Sequence, residues 1–225
     1  FRLGLSATVE RADSAEHQIY RLVGPLCYEA QVQGVIGHGL SPYDVVTIQV
    51  EMTDDEKIRY QEQRQIYTSF VRAQGINFSQ PNGWMQFVSI AARTPGGRTA
   101  MQAYRKQKKL AQAAQGKLYA LWRIMMQHVG ERIIVFTDDN DFAYQIGARY
   151  FLAVLTHQTK TAERKQMLEQ FRNGDIAILV TSKVLNEGVD VPEASIGVVM
   201  SGSAAVREHV LRLGRVLRYR KGKRA

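Results

Sequence analysis

The chain has 225 residues, of which 45% are hydrophobic and 23% are charged. This balance predicts a soluble globular protein, either one large domain or a domain with an insertion. No apolar stretch approaches the length of a membrane span and no signal peptide is recognisable, so we expect no membrane partner. The single cysteine, Cys27, excludes an internal disulfide and a cysteine-based metal cluster. It fits an intracellular protein, cytoplasmic in a prokaryote or nuclear in a eukaryote.

The net charge of +9 is concentrated in two parts of the chain. Residues 54–127 hold twelve lysines and arginines against four acids, and residues 205–225 hold eight against one. A surface helix of that sign can simply be well solvated, but concentrated basic charge is also the electrostatic footprint of a nucleic-acid-binding protein. We favour the second interpretation.

The first half of the chain predicts two short strands and a helical segment. Residues 3–8 form a short apolar strand that ends in small hydroxyl residues, and residues 45–50 form a β-branched strand. Between positions 54 and 128 the apolar spacing is helical, with turn signals at Gly75, 81–83 and 95–97. The acidic run 54–56 precedes a helical pattern and predicts an N-cap cluster. The aromatic residues of this segment are expected to form its own small core.

The second half alternates strands and helices, which predicts an α/β fold with a parallel sheet flanked by helices. The strands are nearly continuous apolar runs, as a sheet covered on both faces requires. We predict strands at 133–137, 151–155, 176–181 and 196–200, and helices near 139–149, 161–172 and 205–213.

Short hydroxyl and basic residues follow these strands, where the ligands of parallel sheets bind. Thr156 and His157 follow one strand, and Ser182 and Lys183 follow another. Contact with phosphates is one interpretation of the hydroxyl residues, and capping of the next helix is the other. His157 has no second histidine or cysteine near it in the sequence, so we expect no metal site.

Two motifs near the end of the chain have the chemistry of nucleotide handling. In the run 186–192, Gly188 allows close backbone approach to a ligand, and Asp190 can accept hydrogen bonds from ribose hydroxyls. In the run 212–218, Arg215 and Arg218 are three residues apart, which puts both on one helical face. Guanidinium groups in that arrangement can neutralise charge on a transferring phosphoryl group.

Together with Ser6, Ala7 and Thr8, these motifs resemble those of the superfamily 2 helicases, in the same order. The stretches 4–13, 23–30 and 182–190 look like the XPB (xeroderma pigmentosum group B) DNA repair helicases. Restriction-enzyme motors carry a similar Glu-Gly-x-Asp-x-Pro, so another superfamily 2 DNA translocase stays an alternative.

The resemblance implies a RecA-like fold and a function for each motif. Residues 6–8 would end the first motor domain and couple it to the second, Gly188 and Asp190 would contact ATP, and Arg215 and Arg218 would act as arginine fingers. Thr156, His157, Ser182 and Lys183 would follow a nucleic-acid strand. The basic insertion resembles a thumb-like element, where DNA contacts are expected from four residues: Arg105, Lys106, Lys108 and Lys109.

The domain organisation implied is a tail of the first RecA-like domain at 1–12, a second RecA-like domain at 13–53 and 129–225, and the insertion at 54–128. The sequence contains no Gly-x-x-x-x-Gly-Lys-Ser/Thr loop and no Asp-Glu pair after an apolar strand. We therefore expect a fragment that is inactive alone, with the main ligands of ATP and Mg on an N-terminal motor domain.

The expected function is that of an ATP-dependent DNA helicase or translocase in nucleotide excision repair and in transcription. Expected partners are DNA, the N-terminal motor domain, and a nuclease or a repair or transcription complex. Leu211 occupies the position where the family has glutamine, and leucine makes no hydrogen bond. A catalytically inactive nucleic-acid-binding module therefore stays open as a second interpretation.

Overall fold

The computed structural model describes residues 16–27, 44–182, 191 and 193–200. The predicted strand at 3–8 and the predicted helix at 205–213 lie outside these residues. The chain divides into two compact units. The smaller unit is formed by residues 48–122, and the larger unit by residues 1–47 together with 123–225.

The described part of the chain contains seven helices and four strands, labelled here in chain order. They are α1 (Glu16–Leu22), α2 (Asp54–Ala73), α3 (Gly83–Arg93), α4 (Pro95–Gln112), α5 (Gln115–Gln127), β1 (Ile133–Phe136), α6 (Asn140–Tyr150), β2 (Ala153–Leu155), α7 (Thr161–Asn173), β3 (Ile178–Thr181) and β4 (Ile196–Val199). The boundary between the two units falls inside α5. None of the helices described is long and apolar enough to cross a membrane.

The four strands form one parallel sheet with the order β2-β3-β1-β4. Ile133 of the central strand β1 pairs with Ile178 on one side and with Ile196 on the other. All four residues of β1 are buried, which is why its sequence is an uninterrupted apolar run. The predicted α/β fold with a parallel sheet is confirmed, and each predicted strand from 133 onward is present, shortened by one or two residues.

Both faces of the sheet are covered. Ile134, Phe136 and Leu179 pack in one buried cluster with Leu168 and Phe171 of α7. Because side chains alternate along a strand, Ile133, Val135 and Val180 point to the other face, and they are also fully buried. Helix α6 packs on β2 and β3.

The approach of α6 to the sheet depends on one glycine. A Cβ atom at Gly147 would lie 2.2 Å from Cγ2 of Val154 in β2 and 3.2 Å from the carbonyl oxygen of Leu152. No real side chain tolerates such a contact, so glycine is what lets the helix lie this close. The close packing holds the first turn of α6 beside the ends of the strands.

The smaller unit is helical and has its own core. Helix α4 packs on α2 and α3. The core of the smaller unit consists of four buried residues, Ile76, Phe87, Ala91 and Ala100, with aromatic and aliphatic side chains of α2 around them. Phe87 and Trp84 of α3 lie 5.5 Å apart between ring centroids, and Trp84 lies 5.1 Å from Tyr104 of α4. The aromatic residues of this segment thus form a core, as predicted.

Helix α2 begins at a capping box. The side chain of Thr53 accepts from the backbone N–H of Glu56, and the Glu56 carboxylate accepts from the N–H of Thr53. Asp54, Asp55 and Glu56 occupy the first turn, as the acidic run predicted. Helix α4 begins in a similar way, with Thr94 as the N-cap and Pro95 in the first turn, so the predicted turn at 95–97 is a helix start.

The predicted strand at 45–50 is wrong. Residues 44–50 form neither helix nor strand, and Val45, Val46 and Ile48 are 71%, 79% and 52% exposed. β-branched residues favour a strand only where a neighbouring strand and a buried face receive them. Within the described ranges no strand pairs with residues 44–50, so their β propensity does not produce a strand.

Candidate nucleic-acid interface

A row of threonines marks the carboxyl edge of the sheet. Thr137 follows β1, Thr156 follows β2 and Thr181 ends β3, and all three are fully buried. Thr181 pairs with Phe136 on one side and with Leu155 on the other, so it lies between the strand ends that lead into Thr137 and Thr156. Ligands of parallel α/β sheets bind at this edge. The edge is therefore the candidate site of the larger unit.

Ser182 extends this edge by one residue and is 3% exposed. Its backbone N–H donates to the carbonyl oxygen of Leu155 at 3.3 Å, which fixes Ser182 beside the end of β2. Its Oγ is buried and has no hydrogen-bond partner among the described residues. Leaving a buried polar group unpaired costs roughly 1–3 kcal/mol, so an incoming acceptor would be favoured at this atom.

The neighbouring hydroxyl groups, in contrast, are paired. Thr137 Oγ1 donates to the carbonyl oxygen of Asp139 at 3.0 Å, and Thr181 Oγ1 donates to that of Ser182 at 3.0 Å. Both bonds stay within the edge and tie consecutive residues together. Ser182 is thus the one hydroxyl of these three whose hydrogen-bonding capacity is left unused in the described part of the chain.

Thr156 organises the turn that follows β2. Its Oγ1 accepts from the N–H of Gln158 at 3.2 Å and lies 2.9 Å from the hydroxyl of Tyr144. Its own N–H donates to Oγ1 of Thr159 at 3.0 Å. The side chain is fully buried and bonded within the turn. It does not cap the next helix, because the N-cap of α7 is Lys160 and makes no side-chain cap hydrogen bond. The turn exposes the next two side chains, His157 and Gln158.

His157 is held from helix α6. Its Nδ1 lies 2.9 Å from Nδ2 of Asn140, the first residue of that helix. In the described ranges, no group of three or more His, Cys, Asp or Glu residues could hold a metal ion. The contact that orients the ring comes from the amide of Asn140.

The predicted DNA contacts of the smaller unit all lie on α4, and all are exposed. They are Arg105, Lys106, Lys108 and Lys109. The sequence reinforces their charge, because positions 63–130 contain ten lysines and arginines and no acidic residue. At the start of α2, where acids are present, Lys57 pairs with Glu51 at 3.3 Å and Arg59 with Asp55. A stretch this long without acids favours contact with a polyanion.

One buried carboxylate organises the smaller unit, and its role was not predicted. Glu56 is 6% exposed, and its second carboxylate oxygen accepts from the N–H of Gln115, the first residue of α5, at 2.9 Å. Burial by itself would raise the pKa of Glu56, but the hydrogen bonds from the N–H groups of Thr53 and Gln115 outweigh it and hold the pKa below its usual range. A single ionised side chain therefore joins the starts of α2 and α5.

Several predicted site residues lie outside the described part of the chain. These are Ser6, Ala7, Thr8, Lys183, Gly188, Asp190, Arg215 and Arg218, and Leu211 also belongs to this group. Among the others, the structure brings Thr156, His157 and Ser182 together at the edge of the sheet. The four basic residues of α4 belong to the other unit. Asn140 and Tyr144 were missed; both are polar residues on α6, one helical turn apart, shortly after a strand end.

Comparison with known proteins finds one matching domain family and several similar helicases. The model of the helicase conserved C-terminal domain matches residues 116–220. The chain is 36% identical, over 97% of its length, to the DNA 3'-5' translocase XPB2 of Sulfurisphaera tokodaii, of which it covers 50%. It is 30% identical, over 96% of its length, to the DNA 3'-5' helicase XPB of Mycobacterium tuberculosis, of which it covers 33%. The chain thus spans half or less of the length of these relatives.

A solved structure supports the fold. The C-terminal part of the Fun30 ATPase domain superimposes with a TM-score of 0.57 over 83% of this chain and 84% of that chain, at 12% identity. This likeness concerns the fold alone. The chain thus matches the helicase conserved C-terminal domain over residues 116–220 and is similar, over nearly its whole length, to DNA 3'-5' translocases and helicases of the XPB type.

Proposed function

We propose that the chain is the C-terminal motor half of an ATP-dependent DNA helicase or translocase that acts in nucleotide excision repair and in transcription. The observation that carries this proposal is the edge of the sheet, where the unpaired Oγ of Ser182 lies one strand away from the exposed turn at His157. Neutral hydroxyl and N–H donors bind phosphate oxygens without reading the base sequence. That is what a motor needs if it is to move along any strand.

In this proposal ATP with Mg binds between this chain and an N-terminal motor domain. Gly188 and Asp190 contact the nucleotide, and Arg215 and Arg218 neutralise charge on the transferring phosphoryl group. The sequence contains no Gly-x-x-x-x-Gly-Lys-Ser/Thr loop and no Asp-Glu pair after an apolar strand, so the phosphate and Mg ligands are assigned to the other motor domain. Ser6, Ala7 and Thr8 couple the two domains.

The proposed domain organisation follows the helical and α/β character of the two units. Residues 13–53 and 129–225 would form the second RecA-like domain, residues 1–12 the tail of the first, and residues 54–128 a thumb-like insertion. The compact unit at 48–122 and the larger α/β unit support a division of this kind. In function, the insertion would serve as a separate DNA grip.

Two sets of residues would bind DNA by different chemistry. Ser182, His157 and Lys183 would follow the phosphates of one strand, with Thr156 ordering the turn that carries His157. The four basic residues of α4 would add affinity through charge, which is independent of sequence and falls with salt. We further propose an intracellular location, cytoplasmic in a prokaryote or nuclear in a eukaryote, and a nuclease or a repair or transcription complex as a partner.

A second candidate function rests on Leu211. The family has a glutamine at this position, and leucine cannot exchange hydrogen bonds with a nucleotide. A chain that binds DNA but no longer couples binding to ATP would show this substitution. Joining the chain to its N-terminal motor domain separates the two functions, because only the motor then hydrolyses ATP in response to DNA.

The chain by itself supplies the first test. We expect it to bind a fluorescein-labelled DNA oligonucleotide in an anisotropy titration, and to release no phosphate from ATP in a malachite-green assay with or without DNA. Calorimetry should detect no tight ATP binding. Turnover above trace level would contradict the division of the ATP site between two domains, and absence of DNA binding would contradict the proposed function itself.

A further inference from the structure

Helix α6 carries two polar side chains that reach the turn after β2. Asn140 and Tyr144 are four residues apart and therefore lie on the same face of the helix. Asn140 contacts His157, and Tyr144 contacts Thr156, in both cases at 2.9 Å. Tyr144 also donates to Oε1 of Gln158 at 3.5 Å, at the outer limit of a hydrogen bond. Two consecutive residues of the turn are thus oriented from one helix.

The contact to His157 decides which ring nitrogen carries the proton. The Nδ2 amide group of Asn140 has hydrogens and no lone pair to offer, so in this contact it donates and Nδ1 of the imidazole accepts. A neutral ring whose Nδ1 accepts carries its proton on Nε2. The exposed side of His157 is then an N–H donor.

We propose that Asn140 is a positioning residue that holds His157 as its Nε2–H tautomer, so that His157 donates a neutral hydrogen bond to a phosphate oxygen of the DNA strand. This inference rests on the proposed function and deepens it, because it names the group that the turn offers and the residue that orients it. The neighbouring Asp139 already uses its carboxylate to accept from the N–H groups of Asp141 and Phe142, as the N-cap of α6. The same cap fixes the start of the helix from which Asn140 extends.

A neutral donor differs from a lysine in what it contributes. It releases no condensed counterion when it meets a phosphate, so it adds affinity without adding to the salt dependence of binding. A hydrogen bond of this kind changes affinity by roughly threefold to tenfold. Its direction is fixed only if the ring is held, and Asn140 holds it.

The tautomer can be read directly. The chain has five histidines, and nitrogen-15 labelling of them, with His157→Gln to assign the signal, reports which nitrogen of His157 is protonated. We expect protonated Nε2 and bare Nδ1 in the parent chain. Asn140→Asp replaces the amide donor with an acceptor, so Nδ1 of His157 should become protonated. Protonated Nδ1 in the parent chain would overturn the proposal.

Binding tests whether Asn140 acts through His157. We measure anisotropy of a labelled 20-nucleotide thymidine strand with Asn140→Ala, His157→Ala and the double variant, and use Gln145→Ala on the same helix as the control. We expect either single change to weaken binding roughly threefold to tenfold, the double variant to match His157→Ala, and the salt slope to stay constant. Circular dichroism confirms that each variant is folded.

Two outcomes would contradict the inference, and they differ from failure of the proposed function. If Asn140→Ala leaves binding unchanged, or weakens it equally with and without His157, then Asn140 has only a local structural role. If the parent chain binds no DNA at all, the proposed function is wrong and this inference fails with it.

Discussion

The edge of the sheet and helix α4 are both proposed to meet DNA, yet they are built in opposite ways. At the edge, buried hydroxyl groups and one tethered histidine are fixed by hydrogen bonds of about 3 Å. On α4, four exposed cations extend from a helix whose partners are hydrophobic. The edge of the sheet provides hydrogen-bond donors with a fixed orientation, and α4 provides positive charge. We infer that the edge guides one strand while the smaller unit supplies affinity.

The difference is also one of tolerance to change. A hydrogen-bonded edge depends on individual atoms, because an unpaired buried group carries its full desolvation cost. The DNA affinity of a charged helix depends on the sum of its cations, so removal of one cation lowers that affinity only in part. We expect substitutions to follow this contrast, with effects that decrease from the proposed catalytic arginines to a single hydroxyl group.

The largest effect should come from the proposed arginine fingers. In the enzyme formed with the N-terminal motor domain, Arg215→Ala or Arg218→Ala should lower the DNA-stimulated ATPase rate on the order of a thousandfold or more, because an arginine finger acts on transition-state charge. DNA affinity should be unchanged. Lys223→Ala, in the same basic segment, serves as the control. A variant that keeps near-parental turnover would show that its arginine only packs or pairs.

The second effect should come from reversing the charge of α4. Changing Arg105, Lys106, Lys108 and Lys109 to Glu should weaken DNA binding by about tenfold or more at low salt. It should also flatten the dependence of affinity on salt, by up to about 0.9 in slope for each duplex phosphate that is no longer neutralised and about 0.7 on a single strand. The helical turn spreads these four residues around part of the surface of α4, so they cannot all face one DNA backbone. We therefore expect fewer than four phosphates to be neutralised.

Anisotropy titrations over a salt series measure this prediction. Lys57→Glu with Arg59→Glu is the matched control, because both cations already face carboxylates in the same unit. The control should leave the slope nearly unchanged. An unaltered affinity and slope in the α4 variant would exclude the smaller unit as a DNA grip and favour an acidic protein partner.

The third prediction concerns the frame that presents α4. Glu56→Gln should lower the free energy of unfolding by about 1–3 kcal/mol, since the amide has a single acceptor oxygen for two N–H donors and its NH₂ group would face one of them. Asp54→Asn, at a carboxylate that is 97% exposed, should change it far less. Thermal unfolding compares the two, and equal effects would contradict the bridging role.

The pH dependence of this effect has a definite sign. The pKa of Glu56 is lower in the folded chain than in the unfolded chain. Its contribution to stability is therefore complete above the unfolded pKa, near 4.3 for glutamate, and is lost as the pH falls through the folded value. The stability gap between the parent and Glu56→Gln should be constant near neutral pH and should narrow only below that range.

The smallest effect should come from Ser182→Ala. DNA affinity should fall by only a few fold, with no change in salt slope, because one neutral hydrogen bond is removed. Stability should not fall, since the removed Oγ is buried and has no partner in the described structure. A lowered melting temperature without a change in affinity would assign Ser182 to the fold. Thr137→Ser is a useful contrast, because it keeps the hydroxyl of a paired neighbour.

Much of the fold could be predicted because its signals are local. The run at 133–136 is apolar throughout and lies in a fully covered strand, and the acids at 54–56 form the first turn of the helix that they stabilise. The run at 45–50 has the same β-branched composition but no neighbouring strand among the described residues, so the local signal misled. Propensity describes what a segment can form, and partners decide whether it does.

The site was harder to predict because its contacts join distant residues. Glu56 accepts from Gln115, 59 positions away, and His157 meets Asn140 across 17 positions. Nothing in the spacing of those residues indicates either pair. The strand ends did predict that Thr156, His157 and Ser182 lie at one edge. They could not tell that the Thr156 hydroxyl is used within its own turn while that of Ser182 is unpaired in the described structure.

We propose that ATP hydrolysis and DNA binding depend on different parts of this chain, so that each can be removed without the other. One DNA titration of the joined enzyme tests it, with ATP turnover and anisotropy read from the same samples for the parent, Arg215→Ala and the α4 charge reversal. We predict that Arg215→Ala binds DNA with the affinity of the parent but does not turn over ATP. The charge-reversal variant should require a higher DNA concentration for half-maximal ATPase activity and should still reach the maximal ATPase rate of the parent. Proportional loss of binding and turnover in both variants would contradict the claim.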